Sequence, residues 1–347
     1  MRISNLTMAR NYQTGLTNAQ SKLFKSQMKA MTFERYQSMD ENVAVGLRAF
    51  TVRRQLMRNE TYSENVNEAL TFYTSAHDYI DNINKVGQNV YTIFNGADGT
   101  KTQDEYNAIK KQIGRYQEEL LTNLNAQFSD RYIFGNTNVL TPPFGVRIEY
   151  AADGKTETDR FLTYTYKDKD QLYRTVDVKD ITEDHPDYDW IMNDPSFIDV
   201  GLSFTYDPKE IIPATAYNRS ISGLKAIGTG PDNMYDNFTK VLKELERGNP
   251  APGEFHKPDR ELLDKLIANY TNAALMLTDI GADMKYLEVT KERLTDERIN
   301  LFERQKQLEA IDPAEAFMDE KLMEFMYNAS LQMGSKILQP GLFSFLR

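Results

Sequence analysis

Histidines and carboxylates are the side chains in this sequence whose chemistry could support catalysis or metal binding. The three histidines, His77, His185 and His256, lie far apart, and no two have the spacing with which a helix presents two ligands to one metal ion. His77 falls within a helical pattern, which favours a surface or partly buried polar role. The sequence therefore indicates no histidine-based metal or acid–base site.

Acidic residues gather between positions 177 and 189, where they could bind calcium if the fold brought them together. This region lacks the ordered Asp-x-Asx-x-Asx-Gly loop of calcium sites, so solubilising loops are the favoured interpretation. Glycoside hydrolysis requires two carboxylates at a set separation in space, which the sequence does not give, so this alternative stays open. The acidic residues concerned are Asp177, Asp180, Glu183, Asp184, Asp187 and Asp189.

Other catalytic signatures are missing from the sequence. There is no cysteine, which excludes disulfides, thiolate metal sites and cysteine nucleophiles. There is no phosphate-binding glycine loop and no Gly-x-Ser-x-Gly nucleophile turn. We therefore expect a protein that is not an enzyme and that uses no cofactor and no metal.

Charge and hydropathy limit the kinds of partner that we expect for this chain. The net charge of −10 argues against general binding of nucleic acid, because phosphate backbones require basic surfaces. Residues 1–60 hold ten Lys or Arg and four Asp or Glu, a net +6 that can pair with acidic segments of this chain or of a neighbour. No run of eighteen apolar residues occurs, so no membrane insertion is expected. The amino terminus shows no apolar core of a cleaved secretory signal.

Helical periodicity dominates both ends of the chain. Residues 3–30 are predicted to form a helix with Leu16, Leu23 and Ala30 seven residues apart, a spacing that favours pairing with another helix. A hinge is expected over 31–40, followed by a helix over 41–94. A third helix should begin after the capping box of Thr102 and Glu105 and run to about Ser129.

The central sequence changes character. Residues 138–230 are rich in Thr, Tyr, Asp, Gly and Pro, and runs such as 146–150 and 161–166 alternate every second residue, as strands do. Turn signals at 152–154 and 168–170 separate these runs. We predict an inserted β-rich domain within a mostly helical protein.

Helical signals return at about Asn233, stop at 248–250, and then continue in the longest regular pattern of the chain. Leucine, alanine and isoleucine recur every seven residues, and a companion seam turns polar from Lys291 onward, so a long helix of coiled-coil character is predicted. Asp312 and Pro313 should end it, with Pro313 in the first turn of the last helix. The main seam is Leu266, Ala273, Ile280, Leu287, Leu294, Leu301 and Leu308.

The last stretch, 313–347, is more apolar than one helix packed on one domain requires. On a helical wheel its apolar side chains spread over about 220°, whereas a single packing face takes about 100°. Its polar residues form one narrow stripe. Such a helix needs neighbours on nearly all sides, either in a large bundle of its own chain or between copies of the chain. The polar stripe is Lys321, Glu324, Asn328, Gln332 and Ser335.

Motifs at both ends resemble a known family. Residues 1–5 with the following helix, and the closing residues 341–347, are similar to the ends of bacterial flagellins. The motifs at 131–137 and 279–282 resemble those of the hook-associated protein 3 family of hook–filament junction proteins. The resemblance covers about 1–137 and 231–347, and the order of the motifs makes it specific.

The resemblance implies an architecture and a function. It implies an antiparallel helical rod with coiled-coil character, built from both chain ends: a terminal polymerisation domain of 1–40 with 313–347, a helical rod domain of 41–137 with 231–312, and an outer β-rich domain of 138–230. The protein would be a structural part of the extracellular flagellum that joins hook to filament, exported by the flagellar type III route. Its partners would be further copies in a ring-like layer, the other junction protein, flagellin and an export chaperone.

The resemblance also assigns roles to the terminal helices. The polar stripe of the last helix would face the export channel. The apolar residues would contact neighbouring subunits, and those expected at the subunit interface are Leu16, Leu23, Phe317, Leu322, Met326, Met333 and Ile337.

Three alternatives stay open on the sequence alone. The first is a flagellin filament subunit, which would form long filaments unaided. The second is a secreted binding or enzymatic β module on a helical stalk. The third is an intracellular coiled-coil scaffold, which would stay in the cytoplasm.

Overall fold

Two units divide the chain, and one of them is built from both chain ends. The end unit comprises Met1–Glu60 and Thr295–Arg347, and the central unit comprises Thr61–Leu294. The computed structural model describes residues 5–36, 41–97, 101–150, 157–202, 206–207, 210–211, 216–247 and 258–337.

Helices make up most of the described chain. The helices are α1 (Asn5–Thr32), α2 (Val43–Asn95), α3 (Gln103–Leu124), α4 (Tyr188–Asn193), α5 (Gly223–Ile227), α6 (Met234–Arg247), α7 (Arg260–Glu309) and α8 (Pro313–Ile337). The predicted helices over 3–30, 41–94 and 233–247 thus agree with α1, α2 and α6 to within about two residues, the usual uncertainty of helix ends.

The strands pair antiparallel and lie in the central unit. They are β1 (Gln127–Phe128), β2 (Arg131–Tyr132), β3 (Phe144–Tyr150), β4 (Glu157–Lys167), β5 (Tyr173–Asp177), β6 (Phe197–Ile198), β7 (Tyr206–Asp207), β8 (Glu210–Ile211) and β9 (Tyr217–Asn218). The sheet order is β3-β4-β5, and the remaining strands pair as β1-β2, β6-β9 and β7-β8. The mostly helical fold with an inserted β-rich region is confirmed.

One large buried cluster forms the core of the central unit. It includes the heptad residues Leu266, Ala273, Ile280, Leu287 and Leu294 of α7, each at most 3% exposed. The same cluster contains Phe134, Phe144 and Leu162 from the β-rich region and residues of α2 and α3. Helices and strands therefore share one hydrophobic core inside this unit.

Alternation places the sheet on that core. Leu162, Tyr164 and Tyr166 of β4 are buried, while the residues between them are half-exposed, as a period of two requires. In register, Phe144 lies opposite Tyr164, and their ring centroids are 5.1 Å apart. The turn predicted at 168–170 joins β4 to β5.

The third helix begins as predicted but ends earlier. The capping box is present, since the Thr102 backbone N–H donates to Glu105 Oε2 at 2.6 Å and the Glu105 N–H donates to Thr102 Oγ1 at 3.4 Å. The predicted end near Ser129 is wrong, because α3 ends at Leu124. The Asn125 side-chain amide donates to Phe144 O and accepts from the Phe144 N–H, and these two hydrogen bonds anchor the end of α3 to β3. A tight hairpin follows, in which Ser129 has a φ of 48°.

The end unit has a short backbone connection between its two sequence segments. After α1, the backbone of Glu34 pairs with Ala310 in an antiparallel bridge. The Arg35 N–H donates to Glu309 O at 2.6 Å, and the Ile311 N–H donates to Phe33 O at 3.1 Å. Pro313 opens α8, as predicted. The expected hinge at 31–40 thus contains a backbone pairing over 33–35.

Some predictions lie outside the described residues. These are residues 37–40 of the expected hinge, the turn at 152–154, the helix stop at 248–250, His256, and the two chain ends at 1–4 and 338–347. The three-part domain division stays a prediction.

Candidate assembly surface

Helices α1 and α8 form an antiparallel pair in the end unit. Tyr12 of α1 lies against Gly334 of α8, whereas Ala30, at the other end of α1, packs with Ile311 and Ala316. The predicted side-by-side arrangement of the first and last helical segments is therefore confirmed for α1 and α8. The contact is close, since a Cβ added to Gly334 would lie 2.0 Å from Tyr12 Oη.

Each helix contributes a heptad seam to this pair. The seam positions are buried or half-buried, whereas most residues between them are exposed. Leu16 and Leu23, predicted at the subunit interface, are half-buried on the α1 seam. The seams are Ala9, Tyr12, Leu16, Ala19, Leu23, Ser26 and Ala30 on α1, and Ala316, Glu320, Met323, Tyr327, Ser330 and Gly334 on α8.

Polar contacts stabilise the base of the pair. Arg53 Nε donates to Glu309 Oε1 at 2.7 Å, and Arg53 Nη2 lies 3.7 Å from Glu34 Oε1. The hydrogen bond to Glu309 raises the pKa of Arg53. Phe33 meets Phe317 edge to face, with ring centroids 6.0 Å apart. The ring contact holds the start of α8 against the chain that leaves α1, and Arg53 of α2 connects that chain to the end of α7.

An apolar face of α8 stays exposed. Of the predicted interface residues, Phe317, Leu322, Met326 and Met333 are all between 46% and 62% exposed. Phe325 is also 71% exposed, although we had not placed it at the interface. The side chain of Ile337, also predicted there, lies outside the described residues. Phe317 partly packs on Phe33, so the remaining exposed residues form a separate surface.

We call this surface the apolar face of α8. Its members span an arc of about 100°, centred about 120° from the seam that meets α1. It consists of Met318, Leu322, Phe325, Met326 and Met333.

The predicted channel-facing residues occupy a third side of the helix. They are centred about 120° around the helix from the seam and about 120° from the apolar face. Lys321 Nζ pairs with Glu324 Oε2 at 2.8 Å, and Ser335 Oγ donates to Gln332 O at 2.7 Å. Asn328 is exposed. Helix α8 thus has a covered seam, a polar side and an exposed apolar side.

Two features of the end unit were not predicted from the sequence. Gly334 was not recognised as the point of close approach to Tyr12, although a glycine within a helix is a usual signal for such contact. Arg53 was not recognised as the partner of Glu309, because the two residues are 256 positions apart. No local pattern in the sequence predicts that pair.

The described residues offer little catalytic geometry. Within them no group of three or more His, Asp or Glu side chains could hold a metal ion. His77 Nδ1 lies 3.8 Å from Asp78 Oδ1, and His185 Nδ1 accepts from the Asp187 N–H at 3.2 Å. Both contacts are local in sequence and do not bring the two histidines together.

A cavity of about 540 Å³ opens in the central unit. Arg131, Arg219 and Glu68 are among its lining residues, and Arg219 Nη1 donates to Glu68 Oε1 at 3.2 Å. Arg219 also lies over the Phe72 ring at 5.8 Å. No histidine lines this cavity in the part of the chain that the structure describes.

Across the described ranges, no helix has both the length and the apolar character that crossing a membrane requires.

Some solved structures resemble this chain in fold, at low sequence identity. No protein-family model and no curated protein matches the chain. A solved structure from Vibrio parahaemolyticus, provisionally described as a flagellar hook-associated protein, matches with a TM-score of 0.53 and 12% sequence identity. That match covers 78% of this chain and 100% of the Vibrio chain.

Two further solved structures match with lower TM-scores. Bacillus cereus FlgL matches with a TM-score of 0.48 and 14% identity over 73% of this chain and 98% of its own. The flagellar hook associated protein-3 from Legionella pneumophila matches with a TM-score of 0.45 and 12% identity over 74% of this chain and 98% of its own.

The fold and the surface together define a class of protein: a mainly helical chain whose two ends pair and whose central unit carries a small antiparallel sheet. This is the fold of the Vibrio protein described as a flagellar hook-associated protein. The resemblance inferred from the sequence motifs is thus confirmed at the level of the fold.

Proposed function

We propose that this chain is a structural subunit of the bacterial flagellum that joins the hook to the filament. The observation that carries the proposal is the apolar face of α8, which a single copy leaves exposed although α8 is already paired with α1. The shared fold with a flagellar hook-associated protein supports the same assignment. An assembled layer of copies is the environment that such a helix requires.

The energetics favour assembly. Burying one large apolar side chain contributes about 1.5–3 kcal/mol. The apolar face contains five such side chains, each already partly buried, so its gain is of the same order as the roughly 4–15 kcal/mol that association costs. We therefore assign Leu322, Met326 and Met333 of this face to contacts between copies in a ring-like layer, and we keep Phe317 and Ile337 there as predicted from the sequence. Leu16 and Leu23 support that layer from the α1 seam.

The polar side of α8 suits an export channel. Lys321 and Glu324 neutralise each other, and Asn328, Gln332 and Ser335 add uncharged polar groups. Such a wall would not retain an unfolded polypeptide by hydrophobic contact. In this proposal the chain leaves the cell by the flagellar type III route with an export chaperone. It then contacts the other junction protein on one side and flagellin on the other.

Deleting the gene in its source bacterium tests the proposal. We expect hooks without filaments and flagellin released into the medium, with filaments restored by the full-length chain. A full-length L322E/F325E variant, which places charges on the apolar face, should be exported but should not restore filaments. A variant with glutamate at the exposed central-unit residue Leu172 provides the matched control. Intact filaments in the deletion strain would refute the junction role.

The nearest rival, a flagellin subunit, predicts a different outcome. Purified flagellin-like chains grow into long filaments without other proteins, whereas a junction subunit should stop at short assemblies. Electron microscopy of the concentrated protein distinguishes them. Micrometre-long filaments from this chain alone would favour the rival.

A further inference from the structure

A second exposed surface with apolar residues lies in the end unit. Between α2 and α7 lies an open groove with a volume of about 460 Å³. Leu47, one of its lining residues, is 59% exposed, and Val43 and Phe50 are exposed beside it on the same side of α2. On each helix the groove residues recur three and four positions apart. Residues at this spacing form the ridges and grooves through which helices pack on one another. The lining residues are Leu47, Arg48, Thr51, Val52, Arg304, Gln307 and Leu308.

The groove has a basic rim. Arg48 lines it from α2 and Arg304 lines it from α7. Neither guanidinium forms an ion pair with another residue that the structure describes. The groove therefore combines an apolar floor with two cations, which suits an apolar helix that carries carboxylates.

The apolar face of α8 has that chemistry. Glu315 lies within the arc of this face, and Asp319 lies at its edge by helical geometry. Both carboxylates are exposed, and neither is ion-paired within the described ranges. The exposed apolar residues Met318 and Leu322 lie one turn further along. One chain thus carries both an acidic apolar helix face and a basic apolar groove, each exposed in a single copy.

We infer that the apolar face of α8 in one copy binds the α2–α7 groove of a second copy, with Glu315 and Asp319 facing Arg48 and Arg304. This inference rests on the proposed function, because it names the surfaces through which the layer assembles. The contact joins two different patches, so a bound pair still has a free groove on one copy and a free apolar face on the other. Repetition of such a head-to-tail contact produces a ring or a helical layer and not a closed pair.

The absence of cysteine from the chain permits a direct cross-linking test. Leu47→Cys and Leu322→Cys are prepared as separate full-length variants, mixed and oxidised. We expect covalent dimers in the mixture and few in either variant alone. Mixing Leu172→Cys with Leu322→Cys is the control, since Leu172 is equally exposed, at 62%, but lies in the central unit. Equal cross-linking in the control, or none at Leu47, would overturn the inference.

Charge reversal provides a second test that requires no cysteine. R48E/R304E should raise the protein concentration needed for half-maximal pelleting about tenfold. Adding E315K/D319K to the same chain should restore most of the loss, because the ion pairs are re-formed with opposite sign. Circular dichroism controls for folding of each variant. Unchanged pelleting of R48E/R304E would contradict the contact.

The outcomes separate this inference from the proposed function. A chain that pellets and restores filaments, yet gives no Leu47–Leu322 cross-link, retains the junction role and loses this contact. A chain that gives the cross-link but is dispensable for filaments retains the contact and loses the junction role. A chain that neither pellets nor cross-links at high concentration refutes the contact.

Discussion

The two units of this protein differ in how far they bury large apolar side chains. The central unit buries large side chains such as Phe134, Phe144 and Leu162 in one continuous cluster that spans helices and sheet. The buried cluster of the end unit consists of Ala30, Ile311 and Ala316, while Met318, Phe325 and Met333 are more than 60% exposed. This difference is what the proposed assembly requires, because in that proposal the end unit completes its core by contact with other copies.

Equivalent truncations in the two units give the largest expected difference. Phe134→Ala removes a fully buried ring from the central cluster and should lower the free energy of unfolding by about 3–5 kcal/mol. Phe325→Ala removes an exposed ring from α8 and should change the stability of a single copy by less than about 0.5 kcal/mol. Urea unfolding followed by circular dichroism measures both. Similar losses of stability in the two variants would contradict the contrast between a buried ring in the central unit and an exposed ring in the end unit.

Gly334→Ala tests the tightest contact of the end unit. The added Cβ would lie 2.2 Å from Tyr12 Cζ, so the ring must move, and we expect a loss of about 1–3 kcal/mol even though alanine favours helices. Hydrogen exchange on α1 and α8 should report the loss, and Tyr12→Ala in the same chain should reverse it.

Gly15→Ala is the matched control for this experiment. A Cβ at Gly15 meets nothing within 4 Å, so this substitution should stabilise α1 by up to about 1 kcal/mol. If Gly334→Ala proved as favourable as Gly15→Ala, the paired arrangement of α1 and α8 would be refuted.

Removing the amino-terminal cap of α3 should lower the stability of the central unit even in dilute protein. Thr102→Ala removes the side-chain acceptor of the Glu105 N–H and should cost about 1 kcal/mol. Thr122→Ala in the same helix is the control, because Thr122 bonds only the preceding turn at Glu118 and alanine should be neutral or slightly stabilising there. Thermal unfolding of dilute protein distinguishes the two variants.

The smallest expected effect is a pH dependence specific to the central unit. Burial raises the pKa of Asp236, so the folded state binds this proton more tightly than the unfolded state does. The free energy of unfolding should therefore fall as pH rises from about 4, the unfolded pKa, through the raised folded pKa, and then level off. D236N should show a smaller fall, because burial also raises the pKa of Asp194 and of Asp283. Parallel pH profiles for D236N and the original chain would exclude Asp236 as its source.

Local chemistry made much of the fold predictable from the sequence. The seven-residue spacing of Leu16 and Leu23 correctly indicated the seam of α1, because helical geometry returns every seventh residue to one side. The Thr102 cap and the alternation along β4 depend on residues close in sequence and were also confirmed. The end of α3 was mispredicted because Asn125, which follows it, bonds Phe144 on a later strand.

The spacing of residues along α8 was enough to predict that this helix carries more apolar surface than one packing face and that its polar residues form a narrow stripe. The folded chain was needed to learn which arc α1 covers, which arc stays exposed, and that Arg48 and Arg304 line one groove. The physical reason is that periodicity along a helix specifies the width of an apolar surface. The choice of neighbour depends on contacts between residues far apart in the chain, and those exist only once the chain is folded.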